Sequence, residues 1–352
     1  MRNLYLHVGV HRTGTTSTQK FFHANFNALL DKGYLYPFGV ARHSAVVNRI
    51  KTGLLGAEDL AADLEKRMDA RGSHVHSVVL SDEDMSQIKD FSIFAPLARH
   101  FDVKVVVSLR RQDLWLESWY LQNLKWQWNP SLSHLTFAEF FARRGEFFWI
   151  DYATRLAEYE ALFGQGSVMA GIFETSEMPD GPIGAMLNVI GITDQSGLGP
   201  KLHHNSAFSP LTSEFMRHLP LDAMEPKDRR VIERAIGIMD AGLRTNGAKL
   251  VMSHDQRLIV GAEFAASNQA TARRWFNRDT LFHDPLPDPA APLATTALPA
   301  DAAGLMQDFV VPMVRALGDI LAEVRLADVP GPAAAQRRKR QLPKNDRVKP
   351  RT

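Results

Sequence analysis

The stretch Leu4-Tyr5-Leu6-His7-Val8-Gly9-Val10-His11-Arg12-Thr13-Gly14-Thr15-Thr16-Ser17 decides the fold. Its first six residues read as a short apolar strand, residues 18–30 carry apolar side chains at helical spacing, and a loop bounded by two glycines lies between. Strand, glycine-bounded loop and helix make a phosphate cradle. Without a Cβ, Gly9 and Gly14 let the backbone close on an anion, and the N–H groups of the first helical turn point at it. Thr15, Thr16 and Ser17 add hydroxyl donors, and Arg12 adds a full positive charge.

The spacing of Gly9 and Gly14 is that of a Walker A loop, but Thr15 stands where a nucleotide triphosphatase carries lysine. The cation has moved into the loop, to Arg12. Two further strand ends belong with it. The strand expected at 103–109 runs into Arg110-Arg111, and Ser118 follows eight residues after Arg110 on a helix expected at 112–126. Arginine suits a phosphate because its planar fork gives two charge-assisted hydrogen bonds to one anion. The strand at 78–80 runs into Ser81-Asp82-Glu83-Asp84. In open parallel α/β sheets ligands bind outside the carboxyl ends of the strands, which turns Ser81 and Glu83 toward the Arg12 loop. Alternatively, the three carboxylates simply begin a helix.

The run His11-Arg12-Thr13-Gly14-Thr15-Thr16-Ser17, with Gln19 after it, resembles the bacterial branch of the PAPS-dependent sulfotransferases, as does the pairing of Arg110 with Ser118. The resemblance implies a P-loop-like three-layer α/β fold, with a central parallel sheet flanked by helices and a helical C-terminal part. It implies that residues 11–17 hold the 5′-phosphosulfate of PAPS, that Arg110 and Ser118 hold its 3′-phosphate with Arg111 as a substitute in register, and that no metal is needed. It further implies a general base at a strand end, as in carbohydrate-type members. That makes Glu83 the first choice, with His43 and His11 as alternates, since small-molecule members use histidine. Asp151-Tyr152, the segment around Phe173-Glu174, the His203-His204-Asn205-Ser206 segment and the Ser267-Asn268 to Trp275-Phe276 phrase are also similar to bacterial members, with Glu174 read as structural. Two departures stand out: Arg12 replaces the commoner lysine, and the family's late glycine-rich phosphate motif has no match. The expected reaction moves the sulfuryl group of PAPS, leaving PAP, to a hydroxyl of a carbohydrate or other polar small molecule by direct in-line displacement. The rival readings are a P-loop kinase or nucleotide hydrolase using Asp82 for magnesium, and a non-catalytic nucleotide-binding protein.

The 352 residues suffice for one elaborated domain, and the absence of cysteine excludes disulfides, thiolate metal sites and cysteine nucleophiles. No apolar run has the length of a membrane span and the N-terminus lacks the layout of a signal peptide, so a cytoplasmic enzyme is expected. Eight basic residues against one acidic give residues 336–352 a charge of +7, which leaves the first 335 at −5 of a total of +2. The basic balance thus belongs to the tail: no nucleic-acid partner is expected, and the tail is suited to weak contact with an anionic membrane. The expected organisation is an α/β domain with helical additions at 1–282, a Pro/Ala-rich connection at 283–300, a C-terminal helix at 301–328 kinked at Pro312, and a disordered basic tail at 329–352. Among the tryptophans, Trp115, Trp119, Trp126 and Trp128 read mostly as core, with some left to wall an acceptor pocket.

Overall fold

Alternation in β1 (Arg2–Gly9) builds a core on each side of the sheet it anchors. In this computed structural model, which describes residues 1–202, 207–243, 245 and 247–327, Leu4, Leu6 and Val8 face a larger core that includes Leu64, Trp115 and Tyr159. Tyr5 faces a smaller one with Val79, Val106, Phe21, Phe22, Ile183 and Leu187. Successive strand side chains point to opposite faces, so a strand that is apolar on both must be covered on both. The remaining strands are β2 (Tyr34–Leu35), β3 (Ser77–Ser81), β4 (Phe101–Leu109) and β5 (Val168–Ile172). All pair in parallel, in the order β2-β3-β1-β4-β5.

Between and after the strands lie α1 (Thr15–Ala24), α2 (Phe26–Asp31), α3 (Ser44–Lys51), α4 (Ala57–Asp69), α5 (Gln112–Trp126), α6 (Pro130–Ser133), α7 (Phe137–Ala142), α8 (Tyr152–Phe163) and α9 (Gly181–Val189). The helical C-terminal part contains α10 (Pro210–Arg217), α11 (Pro226–Gly242), α12 (His254–Phe276), α13 (Ala302–Leu305) and α14 (Val311–Ala327). The fold is therefore the expected parallel-sheet α/β architecture with a helical C-terminal part. From β1 the chain leaves toward β2 on one side, and from β4 toward β5 on the other. That reversal opens a crevice between the carboxyl ends of β1 and β4, where such sheets bind ligands.

The helix expected over 18–30 begins earlier, at Thr15, and is divided at Asn25. There the Asn25 amide nitrogen donates to the Phe21 carbonyl at 2.8 Å while its oxygen accepts from Gly199 N–H at 2.6 Å. Local side-chain bonding of this kind competes with helix continuation. The C-terminal helical run is continuous from Ala302 to Ala327, through α13, a π-turn (Met306–Val310) and α14, and Pro312 follows directly on the π-turn, the local widening by which a helix accommodates a proline. The His203 to Ser206 segment and the tail from 329 lie outside the described residues. Among the described residues, no helix is long and apolar enough to cross a membrane.

Candidate functional site

The loop after β1 is built on left-handed backbone. Gly9 has φ 67°, Arg12 φ 70° and Gly14 φ 78°. A Cβ on Gly14 would lie 2.6 Å from Pro182 Cγ, and one on Gly9 would lie 2.8 Å from Thr15 Cγ2, so both glycines are required by space as well as by conformation. Arg12, with a Cβ, adopts this conformation at a cost of order 1–3 kcal/mol, the kind of strain that gathers at ligand sites. Thr13 Oγ1 closes the loop on Val10 O at 2.6 Å. Among the described residues no side chain caps α1, and its first turn faces the loop. Thr16 is exposed there, while Thr15 and Ser17 are buried.

Arg12 turns toward α5. Its Nε donates to Ser118 Oγ at 2.6 Å and its Nη1 to Gln122 Oε1 at 3.0 Å. Arg110, at the end of β4, donates from Nη1 to the Arg12 carbonyl at 2.7 Å. Its own backbone is pinned by Tyr152, whose hydroxyl accepts from Arg110 N–H at 3.1 Å and donates to Arg110 O. Trp115 Nε1 steadies the loop from behind by donating to His11 O at 2.8 Å. The structure thus joins Arg12, Arg110 and Ser118, but with Ser118 orienting Arg12. Arg111 is turned away, its Nε donating to Asp113 and its Nη1 to Asp284 O and Pro285 O.

The electrostatics of this corner are one-sided. Burial holds the Arg12 pKa below its ordinary value. Burial, followed by the charge of Arg12, pushes Arg110 down to about 10. Among the described residues neither guanidinium has an ion-paired carboxylate: nearby Glu117 is occupied by Arg257 and by the N–H groups of Val251 and Met252. Desolvated like charges without a counterion raise the energy of the unliganded site, and an anion lowers it. A cavity of about 170 Å³ opens here, lined by Arg12, Arg110, Ser118, Lys125, Trp126 and Lys249 among others. Trp115 and Trp119 are core, Trp126 walls this cavity, and Trp128 is exposed.

On the other side of β1 lies an acidic counterpart. Asp82 caps the short 3₁₀ turn Glu83–Gln87, so the cluster does begin a helical turn, and it does so at the β3 carboxyl end. Glu83 is buried against Gly9, and its Oε2 accepts from Gln19 Nε2 at 2.5 Å. Arg42, which no motif singled out, reaches all three carboxylates: 2.6 Å to Asp82, 3.5 Å to Glu83 and 2.6 Å to Asp84. Burial works against its charge, yet Glu83, Asp82 and Asp84 outweigh burial and raise its pKa. His11 lies between the two clusters, with its ring centroid 4.7 Å from that of Trp119 and Nε2 3.0 Å from Asp84 Oδ1, out of line for a hydrogen bond. His43 is committed elsewhere. Its Nδ1 accepts from Ser81 N–H at 2.9 Å and its Nε2 donates to Pro37 O at 3.0 Å, leaving no ring nitrogen for an incoming hydroxyl. Glu174 accepts from the N–H groups of His283 and Asp284, a structural role.

The buried histidines make a pH-dependent contribution to stability. Burial pushes His7 and His43 from 6.5 down to about 4. Between those values the unfolded chain binds protons that the folded one does not, so stability is present above pH 6.5 and is lost as pH falls toward 4. Asp82 opposes this: burial, resisted by Arg42, raises it from 3.8 to about 6, so the folded chain binds the extra proton in that window. Glu233 opposes it as well, since burial raises its pKa from 4.5 to about 7, so two histidines are set against two carboxyls. The expected result is a melting temperature that stays nearly constant as pH drops from about 6.5 to about 4.5; a steep fall or rise across that window would contradict this balance.

Comparison with known proteins adds little sequence coverage. No family model matches the chain. An uncharacterized protein of Archaeoglobus fulgidus is 26% identical over 183 residues, covering 51% of this chain and 47% of that protein. The chain thus spans about half the length of the curated relative it matches. Among solved structures, the sulfotransferase from Alicyclobacillus acidocaldarius is similar with a TM-score of 0.44 and 14% identity, covering 77% of this chain and 95% of that chain.

Proposed function

We propose that the protein is a sulfotransferase that moves the sulfuryl group of PAPS to a hydroxyl of a carbohydrate or other polar metabolite. The observation that carries this reading is the pair of partly buried guanidinium groups, Arg12 and Arg110, joined at the β1/β4 crevice with no ion-paired carboxylate among the described residues. A donor with phosphates at two positions fits such a corner. Arg12 and the first turn of α1 serve the 5′-phosphosulfate, and Arg110 serves the 3′-phosphate, with Ser118 and Gln122 holding Arg12 in place. PAPS supplies an activated sulfuryl group; the chain supplies fixed charge and dipoles where charge develops on the departing and peripheral oxygens. Glu83, oriented by Gln19, is the proposed base for the acceptor hydroxyl.

A kinase or nucleotide hydrolase fits less well. The position after Gly14 is Thr15, and the carboxylate of Asp82 is held by Arg42 at 2.6 Å. Thermal melting with PAP and with ATP separates the readings. A ligand at a hundredfold excess over its Kd stabilises by about 2.7 kcal/mol, which raises the melting temperature by a few degrees. PAP is expected to give that rise, and a rise with ATP alone would reverse the conclusion.

A further inference from the structure

Beside the cavity lined by Arg12 and Arg110 lies a wider opening of about 680 Å³ between the end of α5 and α11. The two share Lys125, Trp126 and Phe208 as walls. The sequence of α11 keeps its side open. Gly237 and Ala241 follow Glu233 at four-residue steps, so this face of the helix carries little side chain above the backbone. Ile238, 51% exposed, stands at the rim. On the α5 side Trp126 is held flat by Trp128, with ring centroids 5.2 Å apart and planes 21° from parallel. Broad, mainly apolar walls of this kind suit a flat ring.

One polar group borders this opening without a counterpart. Glu233 is 7% exposed, and its Oε1 is sealed from solvent with no hydrogen-bond partner among the described residues. Neighbouring arginines are engaged elsewhere: Arg229 donates to the carbonyls of Trp126, Asp222 and Met224, and Arg234 pairs with Glu323 at 2.7 Å. Burial raises the Glu233 pKa to about 7 against the pull of Lys125, Arg229 and Arg230. A carboxyl left unmatched in an apolar wall lowers the stability of the fold, and a ligand's hydrogen-bond donor restores what is missing, which is why such groups gather at binding sites. The donor is not itself a cation. Lys125 already lies against the aromatic walls, 4.1 Å from the Phe208 ring centroid and 4.9 Å from that of Trp126, and Arg230 adds a further positive charge to the lining. We propose that the opening between α5 and α11 binds an uncharged aryl alcohol, its ring against Trp126 and its hydroxyl donating to Glu233. This holds whatever reaction the crevice catalyses.

Calorimetry of the full chain with naphthol and with naphthyl methyl ether tests this, since the two probes share a ring system and only the first donates a hydrogen bond. Naphthol is expected to bind at least about tenfold more tightly, the scale of a hydrogen bond to a charged group. Glu233→Leu is expected to remove that preference while leaving the affinities for the ether and for PAP as in the parent. It is also expected to melt no lower, because an apolar group replaces an unmatched carboxyl. Ile238→Glu, at an exposed position on the rim, is expected to weaken both probes by about tenfold, and it keeps the test decisive should the leucine variant fail to fold. Equal affinity of the parent for the two probes, or a preference that survives Glu233→Leu, would overturn the proposal. So would naphthol binding that Ile238→Glu leaves undiminished, or no binding of naphthol at all.

Discussion

Arg110→Ala and Arg12→Ala are each expected to weaken PAP binding, measured by calorimetry, by about 1.5–3 kcal/mol, the range for a hydrogen bond to a charged group. Burial sets this magnitude. Both cations are held in a desolvated corner with their pKa values depressed, so a bound phosphate is attracted there with little competition from water. The two variants differ in side effects. Arg110 also holds the Arg12 carbonyl, so its loss loosens the loop as well as removing a charge. Arg12 is anchored by Ser118 and Gln122, whose loss of a partner stays on α5. Arg111→Ala is the control. Its guanidinium is spent on Asp113 and on two loop carbonyls, so its removal is expected to lower the melting temperature and leave PAP affinity unchanged. Unchanged affinity in both Arg12→Ala and Arg110→Ala would refute the proposed donor site.

The parts of this site legible in the sequence are those encoded locally. An apolar run ending in glycine announces β1, the glycine spacing announces the loop, and a strand ending in Arg110 followed by a helix announces the second cation. Parallel topology then carries these strand ends to one edge of the sheet, although Arg12 and Arg110 are 98 residues apart. The pairing of side chains between distant segments is not encoded this way. By its spacing from Arg110, Ser118 reads as a phosphate ligand; the sequence does not say that its Oγ also accepts from Arg12 Nε, a bond that leaves the hydroxyl proton to be donated. Arg42 gives no signal, being a single arginine in a loop, and matters only because Asp82, Glu83 and Asp84 converge on it. His43 is similarly opaque: the sequence does not say that both ring nitrogens meet backbone groups, at Pro37 and Ser81.

Glu83→Gln is expected to lower kcat by about 10²–10⁴ while PAP affinity stays nearly constant, because it keeps shape and polarity but removes proton acceptance. Geometry separates the two readouts. Glu83 lies on the β3 side of the loop, against Gly9, whereas the proposed donor contacts lie on the β4 side. The substitution retains an acceptor oxygen for Gln19 Nε2 and leaves Arg42 tied to Asp82 and Asp84, so the cluster's frame survives. His43→Ala provides the contrast. It removes an acceptor from Ser81 N–H and a donor to Pro37 O in a buried setting, which is expected to cost about 1–3 kcal/mol of stability. Turnover per folded molecule should persist. The measurement needs an acceptor, found by screening labelled PAPS against sugars, lipids and phenols. If Glu83→Gln then turns over the best acceptor at the parental rate, the carboxylate is not the base. The arrangement of Gln19, Arg42 and Glu83 would in that case serve only to fix the end of β3 against the loop.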